Sequence, residues 1–124
     1  MIATDTSSLV AYLQGTPGDD VEKLDAAFSA GELVLAPVVL TEILSDPRSA
    51  KVLRASLPEI QTLELTEGFW IRAGEARLVL KNQGLKAKIA DALIAQSCID
   101  HDVALITRDA DFRHFAKYCG LRLA

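Results

Sequence analysis

Short apolar runs alternate with helical patterns along the whole chain. The runs that we interpret as strands cover residues 1–4, 33–36, 60–65, 103–107 and 121–123. The run at 33–36 lacks polar alternation, which is typical of a strand covered on both faces. Because strands separated by helices pair in parallel, this pattern predicts a parallel sheet.

Between these runs, apolar residues recur with the period of an amphipathic helix, as at Phe69, Ala73, Ala76 and Leu80. The predicted helices begin near residues 6, 19, 37, 48, 66, 88 and 111, and Asp19 or Asp20 is placed to cap the second one. We therefore predict a single domain spanning residues 1–124, built as a three-layer α/β/α sandwich around a central parallel sheet of four or five strands.

Composition narrows the class of protein. Half of the residues are hydrophobic, and the formal net charge is -4, so the molecule as a whole repels nucleic acid and any such binding site must be local. The longest apolar run, residues 33–40, contains Pro37 and is too short to span a bilayer. The first residues carry no export signal, which makes the cytoplasm the expected location.

Four carboxylates occupy positions where a charge is costly. Asp5 and Asp109 follow predicted strands, at the edge of a parallel sheet where ligand crevices form. Glu42 and Asp91 share helix faces with apolar residues. Each has a simpler interpretation: a helix cap for Asp5, an Asx-turn for Asp109, a helix-terminal charge for Asp91 and a surface position for Glu42.

Together, the four acids indicate a metal site, because carboxylates that repel one another in one crevice need hard cations between them. Ligation by oxygen alone favours Mg²⁺ or Mn²⁺, and these ions support hydrolysis of phosphodiesters. The sequence offers no glycine-rich phosphate loop and no nucleophilic triad as a competing site.

Four short stretches of the sequence resemble the motifs of a known family. Residues 2–7, 41–42, 89–95 and 105–112 resemble, in order and spacing, the acidic motifs of PIN-domain ribonucleases, and the whole chain is most similar to the VapC toxins of VapBC toxin–antitoxin pairs. The first strand departs slightly from the family, with Ala3 and Thr4 where larger aliphatic residues are common.

The resemblance implies a Mg²⁺- or Mn²⁺-dependent endoribonuclease that a cognate antitoxin inhibits. Its acidic set and principal cation ligands would be Asp5, Glu42, Asp91 and Asp109. Ser7 and Thr107 would support the site through their hydroxyls, and Asp111 could substitute for Asp109 as the fourth acid. In this scheme Asp5 and Asp91 bind the principal ion, while Glu42 and Asp109 complete the pocket or orient the attacking water.

Other functions stay open at this point. Cys98, His101, His114 and Cys119 have a spacing close to that of zinc sites, so a non-catalytic, zinc-binding or PIN-like interaction module is one alternative. A nuclease that acts on DNA is another. Two other acidic folds are disfavoured. The third predicted strand has no Asp, which a phosphoacceptor receiver domain requires there. Asp5 is not followed by the second Asp of a haloacid-dehalogenase-like phosphatase.

The charge pattern and the apolar helices predict the partners. Basic residues concentrate in the second half of the chain, where they could form a local rim for RNA. The members of this set are Arg72, Arg77, Lys81, Lys86, Lys88, Arg108 and Arg113. Phe69 and Trp70 are assigned to the core or to a subunit interface. We expect a homodimer that also binds an antitoxin, whose basic side chain would pair with the acids.

Overall fold

A computed structural model describes the backbone of residues 1–124 and every side chain except that of Leu57. Its core is one parallel sheet of four strands in the order β3-β2-β1-β4. The strands are β1 (Ile2–Thr4), β2 (Leu33–Leu35), β3 (Gln61–Thr62) and β4 (Ala104–Ile106). Ile2 pairs with Leu33 on one side and with Ala104 on the other, so β1 is central.

Helices cover the sheet, as the alternating pattern predicts. They are α1 (Thr6–Leu13), α2 (Asp19–Ser29), α3 (Pro37–Leu44), α4 (Pro47–Ser56), α5 (Phe69–Asn82), α6 (Ile89–Asp100) and α7 (Phe112–Cys119), with a 3-10 helix at Leu57–Glu59. One group joins α1 to α2 and α4, a second joins α5 to α6 and α7, and α3 contacts both α1 and α6. The predicted α/β architecture with a central parallel sheet is confirmed.

The core explains why the strands are so apolar. All three residues of β2 are buried, and Leu24, Ile43, Leu80 and Phe115 are fully inaccessible to solvent on the helices around it. Apolar surface removed from water stabilises the domain by about 25 cal/mol per Å². Among the described residues, no helix has both the length and the apolar character that a membrane span requires.

The edges of the sheet are shorter than the sequence predicts. Only Gln61 and Thr62 of the run at 60–65 form β3, and Leu65 is 41% exposed. The run at 121–123 contributes one bridge, between Leu105 and Leu123, instead of a fifth strand. Both runs lie at an edge, where a strand has only one neighbour to fix its length.

One helix also begins later than predicted. We expected Thr66 to open the longest helix, but α5 begins at Phe69, after Gly68 takes the left-handed conformation with φ 82°. The Thr66 hydroxyl instead donates to Asp100 on α6 and accepts a hydrogen bond from Arg72. A tertiary contact therefore replaces the expected cap.

Strand order determines where a ligand crevice can form. The chain builds β1, β2 and β3 in one direction across the sheet and then returns to place β4 on the other side of β1. In open parallel sheets, crevices form outside the carboxyl ends of the strands at such a reversal. The residues that follow Thr4 and Ile106 therefore line the expected crevice.

Candidate active site

Asp5 is the most buried acid at this edge of the sheet, with 2% of its surface exposed. It is the N-cap of α1, and its Oδ1 accepts a hydrogen bond of 3.0 Å from the Ser8 amide. Its Oδ2 accepts bonds of 2.7 Å from both the Ser7 and the Thr107 hydroxyls. Three donors thus hold one carboxylate, so Asp5 serves as a helix cap and as a wall of the crevice.

The loop after β4 carries the next two acids. The Thr107 hydroxyl donates to Asp5 and accepts a bond of 3.0 Å from the Asp109 amide. The Asp109 carboxylate in turn accepts a bond of 2.9 Å from the Asp111 amide. These contacts fix the loop against the start of α1 and turn both Asp109 and Asp111 toward α6.

Asp91 on α6 completes an acidic cluster with these two residues. A carboxylate oxygen from each of Asp91, Asp109 and Asp111 lies within 4.8 Å of the other two, and all three residues are partly buried. Asp109 and Asp111 are thus not alternatives in space, because both face Asp91.

The cluster changes the chemistry of Asp91. Burial, followed by the charges of Asp109, Asp111 and Asp5, raises the pKa of the Asp91 carboxyl to about 6, against an opposing effect of Lys88. The carboxylates therefore repel one another at neutral pH. Carboxylate oxygens that repel one another are suitable ligands for a hard divalent cation such as Mg²⁺ or Mn²⁺, so the residues fit the predicted ion.

Glu42 does not belong to the close trio, but it is held at the start of α1. It is half-buried on α3, which follows β2, and its Oε1 accepts a bond of 2.6 Å from the Thr6 hydroxyl. Thr6 is next to Asp5 in the chain, so the structure brings Glu42 to the first turn of α1. All the acids that the sequence singles out therefore reach the same edge of the sheet.

Sequence reasoning missed two contacts of this region. The Thr6 hydroxyl, which the sequence analysis does not single out, donates to Glu42. Asp20 was predicted as a cap, yet Gly18 is the N-cap of α2 and the Asp20 carboxylate binds Ser8 and Arg108. Both contacts join residues far apart in sequence, and a single sequence carries no local signal for them.

The zinc-like spacing is not reflected in the arrangement of its members. Burial raises the pKa of the Cys98 thiol to about 12, and the Cys119 thiol lies 3.7 Å from the Ala76 carbonyl oxygen. The ring of His101 lies 2.7 Å from the carbonyl oxygen of Glu64. Among the side chains that the structure describes, the only group of three or more metal-ligating residues is the aspartate trio.

Comparisons with known proteins identify the family and the fold of the chain. Residues 2–118 match the PIN domain family, and no curated protein sequence matches the chain. The chain is similar in structure to VapBC2 from Rickettsia felis bound to a DNA fragment from their promoter (TM-score 0.78, 20% identity, 100% of this chain and 98% of that chain).

Two further solved structures have the same fold. FitAcB from Neisseria gonorrhoeae has a TM-score of 0.70 and 19% identity over 99% of this chain and 96% of that chain. DNA-bound VapBC from Salmonella typhimurium has a TM-score of 0.73 and 18% identity over 100% of this chain and 98% of that chain.

The raised pKa of Asp91 predicts how stability depends on pH without divalent ions. Asp91 is protonated below about pH 4 in both states, but between about pH 4 and 6 it ionises more readily when unfolded, so the fold loses stability as pH rises. Asp91→Asn should therefore stabilise the metal-free protein at pH 7.5, on the order of 1 kcal/mol after solvent screening, and should have no such effect at pH 4.

Thermal unfolding in EDTA between pH 4 and 8 measures this difference. Asp100→Asn is the matched control on the same helix, because Arg72 lowers the pKa of the Asp100 carboxyl and its removal should destabilise the fold at pH 7.5. Added Mg²⁺ should stabilise the wild type more than Asp91→Asn. A metal-free Asp91→Asn variant less stable than the wild type at pH 7.5 would contradict the assignment of repulsion to this cluster.

Proposed function

This chain belongs to the PIN domain family, and we propose that it is a Mg²⁺- or Mn²⁺-dependent endoribonuclease, the toxin of a toxin–antitoxin pair. The observation that carries this proposal is the trio Asp91, Asp109 and Asp111 next to the firmly held Asp5. Its place of action would be the cytoplasm.

The chain's own residues have distinct tasks in this proposal. Asp5, Asp91, Asp109 and Asp111 would hold the cation, which would lower the pKa of a bound water and stabilise charge on the phosphate oxygens. Ser7 and Thr107 keep the Asp5 carboxylate oriented by donating to its Oδ2.

Glu42 has the part of orienting the attacking water. Thr6 holds its Oε1, which leaves Oε2 as the acceptor for a proton of that water. Asp111, the alternative fourth acid in the sequence, joins Asp109 as a ligand because the two carboxylates face Asp91 together.

RNA as the substrate is supported by the similarity to VapC toxins and requires local positive charge, because the net charge is -4. Three of the basic residues considered for the rim have other contacts: Arg72 pairs with Asp100, Arg77 donates to the Ala87 carbonyl, and Arg108 pairs with Asp20. Lys88 is the N-cap of α6, and its positive charge lowers the pKa of the Asp91 carboxyl. We assign Lys88 to a phosphate next to the cleaved bond.

Two different surfaces suit the two protein partners. Trp70 on α5 is 65% exposed and lies between two grooves, one lined by Val38, Leu65 and Leu93 and one by Ala73 and Ile89. Because the protruding ring and the apolar grooves lie side by side on one chain, a second copy can fill both in a two-fold interface. We assign this face to the homodimer.

A third apolar groove lies between α1, α2 and α4. It is lined by Leu9, Tyr12, Phe28, Val52 and Ile60, among other residues. A groove of this kind fits the apolar face of an amphipathic helix. We assign it to the antitoxin, whose basic side chain would then reach the acidic crevice at the start of α1.

Cleavage assays test the enzymatic proposal. Asp5→Asn and Asp91→Asn should each lower kcat/KM for single-stranded RNA by at least about a hundredfold, because each removes a charged ligand. Asn caps helices as well as Asp, so Asp5→Asn should stay folded. Asp25→Asn is the control, since Asp25 lies on exposed α2 surface and accepts only from Tyr12 among the side-chain bonds described.

RNA, single-stranded DNA and flapped DNA should be compared side by side with Mg²⁺, Mn²⁺ and EDTA. We expect cleavage of RNA alone and none in EDTA. Cleavage that persists in both Asn variants would contradict the site, and a preference for DNA would contradict the substrate.

The two surfaces make opposite predictions for two charge insertions. Trp70→Glu should convert the dimer into a monomer in analytical ultracentrifugation, because a carboxylate cannot be buried in an apolar groove without a partner. Val52→Glu, at a position 49% exposed, should leave the dimer intact and weaken antitoxin binding at least tenfold. If Trp70→Glu stays dimeric, the dimer uses another face.

Expression in a bacterial host tests the biological role. The wild-type chain should arrest growth, and Asp5→Asn should relieve the arrest because the cation site is lost. Coexpression of the small protein encoded by the neighbouring reading frame should also relieve it. A wild-type chain that is harmless at high expression would contradict the toxin proposal.

A further inference from the structure

Outside the acidic cluster, Asp20 and Arg108 form a second arrangement at the edge of the site. Asp20 lies in the first turn of α2, and Arg108 lies between Thr107 and Asp109. Arg108 donates to Asp20 through Nε at 2.8 Å and through Nη2 at 3.1 Å. The Ser8 hydroxyl, on a fully buried residue, donates to the same Asp20 oxygen as Nε at 2.8 Å.

These contacts close a ring of which Asp5 is one member. The Asp5 carboxylate accepts from the Ser8 amide and from the Thr107 hydroxyl. The Ser8 hydroxyl donates to the Asp20 carboxylate, which also accepts from Arg108. Arg108 follows Thr107 directly in the chain, and this covalent link completes the ring. The loop after β4 is therefore fastened to α1 on one side by Asp5 and to α2 on the other by Asp20.

The chain at the start of α2 leaves little room around this ion pair. A Cβ atom at Gly18 would lie 2.5 Å from Oδ1 of Asp20 and 2.9 Å from Nη2 of Arg108. Arg108 also donates to the Pro17 carbonyl at 3.4 Å. The segment from Pro17 to Asp20 thus closes around the guanidinium, and glycine at position 18 makes that approach possible.

Asp20 and Arg108 are both charged in this ion pair. Arg108 and Ser8 lower the pKa of the Asp20 carboxyl to about 2, so Asp20 is ionised at neutral pH. Because two guanidinium nitrogens are bound by one carboxylate, the charge of Arg108 is largely compensated where it stands. This geometry suits a fastening better than a free phosphate contact.

We propose that Asp20 and Arg108 are positioning residues that hold the loop from Thr107 to Asp109 in place relative to Asp5. This proposal rests on the nuclease function proposed above. If the pair is broken, Asp109 and Asp111 lose their fixed distance to Asp91, and small displacements of catalytic groups are costly to turnover.

Kinetics of Asp20→Asn, Arg108→Gln and the double variant on single-stranded RNA test it. Each single variant should lower kcat about tenfold and change KM less than about twofold. The double variant should be no worse than either single variant, because both break one contact. Gly18→Ala should lower kcat in the same direction by a smaller factor, since it displaces the pair without changing any charge.

Asp102→Asn and Arg122→Gln provide the matched control. This pair also joins a carboxylate to an arginine, at 3.1 Å and before β4, but both side chains are more exposed and neither contacts the acids of the site. Both control variants should retain wild-type kcat. Asp20→Glu, which keeps the charge, should recover part of the activity lost in Asp20→Asn.

Amide hydrogen exchange gives a readout that does not depend on cleavage. The amides of Asp109 and Asp111 are bonded to the Thr107 hydroxyl and to the Asp109 carboxylate, and they should exchange about tenfold faster in metal-free Asp20→Asn and Arg108→Gln. The control variants should leave their exchange unchanged. This result is expected even if the wild type cleaves no RNA, an outcome that would contradict only the proposed function.

Three outcomes would overturn the positioning role. Unchanged exchange at both amides would show that the pair does not hold the loop. A raised KM in Arg108→Gln together with a lowered KM in Asp20→Asn would make Arg108 a phosphate contact that Asp20 restrains. Opposite shifts of the acid limb of the pH–rate profile in the two variants would show that they act through charge alone.

Discussion

Repulsion among carboxylates at the carboxyl ends of β1 and β4 is the constraint on which the site depends. Asp91, Asp109 and Asp111 lie close enough that their charges, together with burial, raise the pKa of Asp91 to about 6. A fold keeps such a cluster only if other interactions offset the repulsion, and burial of the apolar core around β1 and β2 acts in that direction. The strained cluster is then ready to bind a cation, because the ion relieves a cost already present in the fold.

The hydrogen bonds around the cluster separate two tasks. Asp5 is held by three donors and follows the interior strand β1, so its position is the fixed reference of the site. The acids of the loop after β4 depend on contacts of that loop with its surroundings, through Thr107 on one side and Arg108 on the other. Precision at the site therefore comes from α1 and α2 as much as from the strands that carry the acids.

Much of this could be predicted from the sequence, and the limits have a physical reason. The unbroken apolar run of β2 and the alternation of strands with helices are local signals, and they were sufficient for the layered fold. The acids after β1 and β4 are local signals too, and the structure brings them to one edge of the sheet. The runs at 60–65 and 121–123 have the same apolar character as the other predicted strands, but they lie at the edges of the sheet. At an edge, the length of strand pairing depends on the tertiary fold and not on the local sequence. Asp20 and Arg108 are 88 positions apart in the sequence, so no local sequence pattern predicts their contact.

Cation binding and inhibition by a partner follow from the same electrostatics in the proposed function. Carboxylates that repel one another accept a divalent ion or a guanidinium group, since either removes the repulsion. An arginine delivered by an antitoxin would therefore compete with the cation for the same oxygens, with the apolar groove between α1, α2 and α4 supplying its affinity. Asp20 shows the same chemistry within the chain, because a carboxylate near this site is already neutralised by Arg108. In the proposed function, the arrangement that would make the site reactive toward phosphodiesters would thus also make it sensitive to a basic side chain.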